Sequence, residues 1–168
     1  MIHVCSLTHL HATVAATDAR HIVTLLKDTD LVQRPAHIAE CNHLVLGMDD
    51  ICEPLDGYVA PADEHVTQLI AFARGWDRAK ALVVHCYAGI SRSTAGAFTI
   101  ACALNPGRDE RTIAQALRSA SATASPNTRI VGLADRALGR RGRMVTAIQS
   151  IGPGAMAAEA QPFRLALD

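Results

Sequence analysis

The stretch that decides the fold of this 168-residue chain is Val83-Val84-His85-Cys86-Tyr87-Ala88-Gly89-Ile90-Ser91-Arg92-Ser93. An apolar run, Ala81–Cys86, leads into it and predicts a buried strand, and Ser91–Leu104 leads out of it and predicts a helix. A cysteine and an arginine therefore flank a strand-to-helix junction. In a parallel α/β sheet, this junction lies at the carboxyl end of a strand, where such sheets bind ligands.

The residues of this loop point to a thiol nucleophile inside an anion site. Unpaired amides at a helix N-terminus favour negative charge, so they would stabilise a Cys86 thiolate and cradle phosphate oxygens. Arg92 offers a planar fork for two of those oxygens, and Ser93 offers a hydrogen bond to the sulfur. Gly89 permits a positive φ. The predicted phosphate-binding amides are those of Tyr87, Ala88, Gly89, Ile90, Ser91 and Arg92.

A buried cysteine after a strand is most often part of the core, and a bare Cys-x5-Arg means little. The full string His-Cys-x-x-Gly-x-x-Arg-Ser carries the interpretation. His85–Ser93 resembles the signature loop of the cysteine-dependent protein tyrosine phosphatases, and is most similar to the dual-specificity branch; we expect a bacterial member. The resemblance implies a phosphocysteine intermediate, with Cys86 as nucleophile, Arg92 on the phosphoryl group and His85 supporting the loop and the thiol pKa.

The same resemblance implies an aspartate as general acid, on a loop upstream of the cysteine. Asp50 is our choice, because it follows a predicted strand and precedes Cys86 by 36 positions. Asp49 is the close competitor, and Asp56 and Asp63 are weaker candidates. The pair Asp49-Asp50 would otherwise be interpreted as a turn at a strand end. Two weaker similarities are Arg20–Leu26, as a second strand, and Ser125-Pro126-Asn127, as a segment behind the active-site loop.

The pattern of strands and helices predicts an α/β fold, with a central, mostly parallel sheet of about four strands flanked by helices. We expect strands at Ile2–Leu7, Arg20–Leu26, Cys41–Met48 and Ala81–Cys86, and helices at Thr8–Asp18, Ala62–Arg78, Ser91–Leu104, Asp109–Ala120, Asn127–Leu138 and Arg143–Ile151. Length predicts one domain. The resemblance implies that residues 1–151 form it as a phosphatase-like domain. Residues 152–168 are expected to form a C-terminal tail without regular structure.

Composition limits the partners. The formal net charge is zero, so no global field attracts nucleic acid or anionic membranes, and no apolar run is long enough to span a bilayer. The five cysteines are odd in number and scattered, which suits reduced thiols in the cytoplasm. Cys52 could form a reversible disulfide with Cys86. The arginines at 136, 140, 141 and 143 fit a solvated turn, or a surface for an acidic partner.

Most of the eight histidines lie near the N-terminus, among Cys5 and Cys41. None has the spacing of a zinc finger or a metallohydrolase, so we expect no metal and no cofactor. The predicted function is a metal-independent phosphomonoester hydrolase acting on a phosphorylated protein or a small phosphomonoester. In the family that this loop resembles, members that act on phosphoinositides often carry lysines inside the loop. Tyr87 and Ile90 are not basic, so the resemblance favours phosphotyrosine or another aryl or alkyl ester. The alternatives are a silent phospho-binding module, a lipid or small-molecule phosphatase, and a sulfur-transfer or arsenate-reducing enzyme.

Overall fold

The computed structural model describes residues 1–167, and Asp168 of the predicted tail lies outside them. The elements follow one another as β1 (Ile2–Ser6), α1 (Leu10–Thr17), β2 (His21–Leu25), β3 (His43–Leu46), α2 (Asp63–Gly75), β4 (Leu82–Cys86), α3 (Arg92–Leu104), α4 (Glu110–Ala120), α5 (Thr128–Ala137), α6 (Arg143–Ile151) and β5 (Phe163–Leu165). Two short 3₁₀ turns, Thr29–Leu31 and Glu40–Asn42, lie between β2 and β3. The predicted α/β fold is confirmed.

The strands form one sheet in the order β3-β2-β4-β1-β5. β4 pairs with β1 and β2 in parallel, and β2 pairs with β3 in parallel. The strand that carries Cys86 is therefore at the centre of the sheet, where all five of its residues are buried. This position explains its unbroken apolar sequence, since a central parallel strand is covered on both faces.

Helices cover both faces of the sheet unequally. Alternate strand residues, Cys5, Ile22 and Val83, pack with α1 in a small cluster on one face. Their neighbours Val4 and Val84 point the other way, into the large core that includes α2 to α6. Successive side chains of a strand point to opposite faces, so two cores share one sheet. The end of β4 therefore lies between the small cluster on one face of the sheet and the large core on the other.

Helix α3 runs through the large core and begins in the signature loop. Its residues from Arg92 to Ala103 are all buried. Gly96 allows this helix to lie close to the sheet: a Cβ atom there would stand 2.6 Å from Leu25 Cδ1 and 3.2 Å from Val84 Cγ1. The close packing fixes the helix N-terminus against the end of β4, and so fixes the loop between them.

Helix α2 is shorter than predicted. It ends at Gly75, whereas the apolar period suggested Arg78. Trp76 leaves the helix in an extended conformation, buries its ring and donates from Nε1 to the carbonyl of Lys80 at 3.0 Å. Burial of the indole with its N–H satisfied outweighs continuation of the helix, because a large aromatic surface enters the core.

The tail contributes a strand that the sequence did not predict. Phe163–Leu165 pairs antiparallel with β1, so the sheet has five strands rather than about four. The segment before it packs closely on the α4–α5 connection, since a Cβ on Gly154 would stand 2.4 Å from the carbonyl oxygen of Thr123. The short strand was missed because three residues carry too little periodicity to read.

The arginine cluster at positions 136–143 is engaged within the fold. Arg140 is buried and bonds Glu110 at 2.8 Å, and it also donates to the carbonyl of Cys102 at 2.7 Å, beyond which α3 ends. Arg143 contacts the same carboxylate at 3.1 Å. Arg136 lies 3.5 Å from Asp63. These contacts pair three of the four arginines with the two carboxylates of Glu110 and Asp63. Arg136, Arg141 and Arg143 remain exposed.

Candidate active site

The signature loop turns its carbonyl groups outward. Four of them accept backbone hydrogen bonds from other segments: Tyr87 from Leu7, Ala88 from Ala160, Ile90 from Ser125 and Ser91 from Asn127, at 2.9–3.3 Å. Within residues 1–167, none of the amides from Tyr87 to Arg92 donates to a protein acceptor. A loop with its carbonyls tied outside and its amides free forms a nest for an anion. The six predicted phosphate-binding positions all lie in this nest.

Gly89 holds the loop in a shape that other residues cannot adopt. Its φ is +74°, in the left-handed region. A Cβ atom there would stand 2.8 Å from Ser6 N and 2.9 Å from the carbonyl carbon of Cys5. Both the torsion and the contact with β1 therefore require glycine.

Cys86 lies at the base of this loop. Its side chain is buried, and its Sγ hydrogen bonds to Ser93 Oγ at 3.1 Å. The two residues are seven positions apart and meet because the loop returns to the first turn of α3. The hydroxyl of Ser93 is therefore placed to donate to a thiolate, or to a sulfur that leaves phosphorus.

Arg92 is anchored by a hydrogen bond at Nη1 and has none at Nε. Its Nη1 donates to the Met48 carbonyl at 2.8 Å, which anchors the buried side chain. Its Nε is buried and has no hydrogen-bond partner in the described part of the chain; the Asp50 carboxylate lies 3.7 Å from it. A buried guanidinium N–H without an acceptor is costly. This orphaned donor indicates an anionic ligand at the loop.

His85 is neutral. Burial is the main cause that lowers its pKa to about 4, and nearby His43 lowers it further, while the backbone of Cys86 acts to raise it. Its Nε2 lies 2.7 Å from Thr24 Oγ1 on the neighbouring strand. An uncharged ring cannot stabilise a thiolate by its net charge, so the support that His85 gives the loop comes from position and hydrogen bonding.

Asp50 and Asp49 occupy different environments. The Asp50 carboxylate accepts from Ser91 Oγ at 2.7 Å and from Asn127 Nδ2 at 2.8 Å, so it lies against the signature loop. Asp49 instead accepts from the amide of Val59 at 2.7 Å and from Lys27 at 3.2 Å. The hydrogen bond from Val59 is the main cause that lowers the pKa of Asp49. Asp49 thus braces its own loop, and within the described residues it makes no hydrogen bond to the signature loop.

The other two acidic candidates are outside this arrangement. Asp63 is the first residue of α2 and pairs with Arg136. Asp56 is exposed on the loop between β3 and α2. Cys52, on the same loop, is exposed and accepts a hydrogen bond from Thr128 Oγ1 at 3.2 Å. Its disulfide with Cys86 stays a prediction.

The start of α5 holds the loop that carries Asp50. Asn127 caps α5 with its side-chain oxygen, which accepts from the Ile130 amide, while its amide nitrogen reaches Asp50. Arg129 donates to the carbonyl of Pro61 at 2.6 Å and to that of Cys52 at 3.3 Å, which bracket the exposed part of the loop. These contacts fix the acidic loop beside the nest.

Sequence reasoning missed three contributors to the site: Thr24, Arg129 and the tail. Ala160 bonds the loop at Ala88, and its neighbour Glu159 accepts from Thr8 and lies 3.5 Å from His9. No local signal marks such residues, since an ordinary strand threonine, a helix arginine and an alanine carry no motif. The Pro-Asn pair before α5 did signal the position of Asn127.

Two clefts lie outside the loop. One, of about 410 Å³, lies between the start of α5 and α6 and includes Pro126, Val131 and Ile148, and the other, of about 450 Å³, lies between α1 and β5. Among residues 1–167, no three His, Cys, Asp or Glu side chains are grouped to hold a metal ion. No helix within the same residues has the length and apolar character needed to cross a bilayer.

No protein-family model matches the chain, and no curated protein matches it in sequence. Solved structures do match it. The PTP-2 phosphatase of Cydia pomonella superposes with a TM-score of 0.63 at 19% identity, over 80% of this chain and 84% of that one. Human DUSP28 gives 0.61 at 18% identity, over 90% and 95%. PTPMT1 gives 0.60 at 14% identity, over 90% and 96%.

These structures share the sheet and the flanking helices with this chain over most of their lengths. At such identities the likeness establishes architecture. The resemblance first seen in His85–Ser93 is therefore confirmed for the fold: this chain has the α/β fold of the dual-specificity and protein tyrosine phosphatases.

Proposed function

We propose that this protein is a metal-independent phosphomonoester hydrolase that works through a phosphocysteine. The observation that carries the proposal is the nest of free amides from Tyr87 to Arg92 around the buried Cys86 sulfur. The buried Nε of Arg92, which lacks a hydrogen-bond partner, supports it. Free donors on a loop with one nucleophile match a phosphoryl group, which brings three oxygens and an electrophilic phosphorus.

Binding comes first in the proposed mechanism. The loop amides and the Arg92 fork take the non-bridging oxygens of the phosphate. The same donors serve the transition state, whose charge lies on the equatorial oxygens, and such preorganised donors are the largest source of catalytic stabilisation. Arg92 keeps its anchor on binding, since its Nη1 stays on the Met48 carbonyl.

Chemistry then proceeds in two displacements. The Cys86 thiolate attacks phosphorus, the P–O bond to the leaving group breaks, and Asp50 gives its proton to the departing oxygen. Water next attacks the phosphocysteine while Asp50 takes a proton from it, which releases inorganic phosphate and restores the thiolate. Ser93 hydrogen bonds the sulfur as it leaves. Acid catalysis of this kind contributes about 10²–10⁴-fold.

The rim of the nest favours a singly phosphorylated aryl or alkyl ester. Tyr87 is 64% exposed at the rim, and Ile90 also lacks charge. Lys27 is already bound to Asp49 and to the Gly57 carbonyl. A phosphorylated protein or a small phosphomonoester is the expected partner. A reducing compartment, and hence the cytoplasm, suits the five free cysteines of residues 1–167.

The first test is hydrolysis of p-nitrophenyl phosphate in the presence of a chelator. Cys86→Ser should abolish turnover and retain binding of inorganic phosphate, because the amides and Arg92 remain. Cys52→Ser is the matched control, since that thiol is exposed and outside the nest, and it should keep full activity. Binding of phosphate without turnover by the wild-type protein would favour a phospho-binding module instead.

A second test separates the two aspartates. Asp50→Ala should slow hydrolysis of esters with poor leaving groups by about 10²-fold and affect p-nitrophenyl phosphate less, as expected for loss of a general acid. Asp49→Ala should loosen the loop through Val59 and Lys27 and show no such dependence on the leaving group. The reverse pattern would make Asp49 the acid.

A further inference from the structure

A buried chain of hydrogen bonds links the signature loop to the edge of the sheet. Thr24 Oγ1 lies 2.7 Å from His85 Nε2 on β4 and 2.8 Å from His43 Nε2 on β3. These are the only partners of that hydroxyl in the described residues. Thr24 and His85 are fully buried, and His43 is half-buried. One hydroxyl therefore bridges two imidazole rings.

The single proton of the hydroxyl couples the two rings. A threonine hydroxyl has one donor and two acceptor sites, and a neutral imidazole has one donor and one acceptor. If Thr24 donates to His85, then His43 must donate to Thr24, and the His85 proton must be on Nδ1. If Thr24 donates to His43, the proton of His85 is on Nε2 and its Nδ1 is a bare acceptor. Any other arrangement leaves a buried proton or lone pair unmatched, which is costly.

The surroundings of His85 Nδ1 favour the first arrangement. This atom is buried, and no residue from 1 to 167 partners it in good hydrogen-bond geometry. Cys86 follows His85 directly in the chain, and its backbone acts to raise the pKa of His85, as a carbonyl beside a ring N–H would. A proton on Nδ1 therefore suits the backbone of Cys86, the residue whose sulfur must become an anion. A bare lone pair there would oppose that anion.

We propose that Thr24 and His43 are positioning residues that hold the proton of His85 on Nδ1, facing Cys86, and thereby favour the Cys86 thiolate. The proposal deepens the proposed function, because it concerns the same nucleophile. It assigns a role in the site to two residues whose side chains, in the described part of the chain, make no hydrogen bond to the phosphate nest or to the sulfur. The relay runs His43 Nε2–H to Thr24 Oγ1, then Thr24 O–H to His85 Nε2.

Titration of the thiol provides the first test. Cys41→Ser and Cys52→Ser remove the exposed thiols, and burial raises the pKa of Cys5 and of Cys102 to about 12, so alkylation by iodoacetamide reports Cys86. In this background, Thr24→Val should raise the pKa of Cys86 by about one unit, a tenfold loss of thiolate below that pKa. Thr24→Ser retains the hydroxyl and should restore the wild-type value.

The second test reads the proton directly and does not depend on phosphatase activity. Nitrogen-15 shifts of the His85 ring should report Nδ1–H in the wild-type protein and in Thr24→Ser. They should report loss of that preference in Thr24→Val. His43→Gln keeps a donor toward Thr24 and should behave as wild type, whereas His43→Leu should behave as Thr24→Val. If Thr24→Val does not fold, the two His43 variants replace it in this test. His43 is on the edge strand β3, where a substitution disturbs the fold less than at the centre of the sheet.

The outcomes are distinct. Two results would overturn the relay and leave the phosphatase proposal intact. One is a proton on Nε2 of His85 in the wild-type protein. The other is an unchanged Cys86 pKa in Thr24→Val, or in His43→Leu if Thr24→Val does not fold. Absence of aryl phosphate hydrolysis with an Nδ1–H proton that depends on Thr24 would instead leave the relay and remove the enzyme.

Discussion

Acidification should destabilise this protein through His85 in a way that a single variant can isolate. The buried ring must remain neutral in the folded state, where its pKa is lowered to about 4, mainly by burial. In the unfolded chain it titrates near its ordinary value of 6.5. The folded protein therefore binds fewer protons than the unfolded chain between these values. The stability that depends on a neutral His85 is complete above pH 6.5 and is lost as the pH falls toward 4.

The size of the effect follows from the two pKa values. They differ by about 2.5 pH units, and each unit corresponds to about 1.4 kcal/mol, so the total loss is about 3 kcal/mol. This is a large share of the roughly 5–15 kcal/mol that holds a domain folded. His3, His21, His43 and His65 also have lowered pKa values, so they add to the slope in the same direction.

Urea unfolding between pH 7 and pH 4.5 measures the free energy of unfolding. His85→Gln is the comparison, because glutamine fills similar space, can hydrogen bond to Thr24 and does not titrate. The variant will be less stable at every pH, so the slopes are compared rather than the values. The wild-type slope should exceed that of the variant by about 1 kcal/mol per pH unit near pH 5. Equal slopes would mean that His85 titrates alike in both states and is not held neutral by burial.

Three further predictions concern the loop and its supports. Gly89→Ala should abolish phosphate binding and cost about 2 kcal/mol or more of stability, because alanine would have to adopt a positive φ and would clash with β1. Gly132→Ala in helix α5 is the control: it has open space and should be neutral or slightly stabilising. Phosphate titration and thermal unfolding measure both variants. Arg129→Met should slow turnover of esters with poor leaving groups about tenfold and leave phosphate affinity unchanged, since it frees the acidic loop at Pro61; an equal loss with all leaving groups would contradict this role. Glu110→Gln should lower the free energy of unfolding by about 3 kcal/mol, because it leaves buried Arg140 without its counterion. Urea unfolding measures this change, and a loss below about 1 kcal/mol would show that the pair contributes little.

The fold could be predicted largely from local patterns. Hydrophobic periodicity and turn residues predict the strands and helices of residues 1–151, and the alternation of strands and helices predicts the parallel sheet. Two parts could not be predicted this way. Helix α2 ends early because Trp76 finds a buried place and an acceptor, and Phe163–Leu165 becomes a strand because β1 offers a free edge. Both depend on neighbours that are distant in sequence.

What the sequence determined by itself is the chemistry of one contiguous loop. Cys86, Gly89, Arg92 and Ser93 lie within eight residues, so their spacing alone predicts the nest, the nucleophile and the fork. Tertiary structure decided everything that reaches the loop from elsewhere. It directs Asp50 rather than Asp49 toward the nest, because Ser91 and other distant donors hold that carboxylate.

The same holds for the supports of the loop. Thr24 meets His85 because β2 lies beside β4, and Ala160 meets Ala88 because the tail returns to pair with β1. Strand order and packing set these contacts across as many as 72 positions of sequence, where no short-range pattern records them. Covalent neighbours are fixed by the chain itself, whereas partners across the sheet are fixed only when the hydrophobic core closes around them.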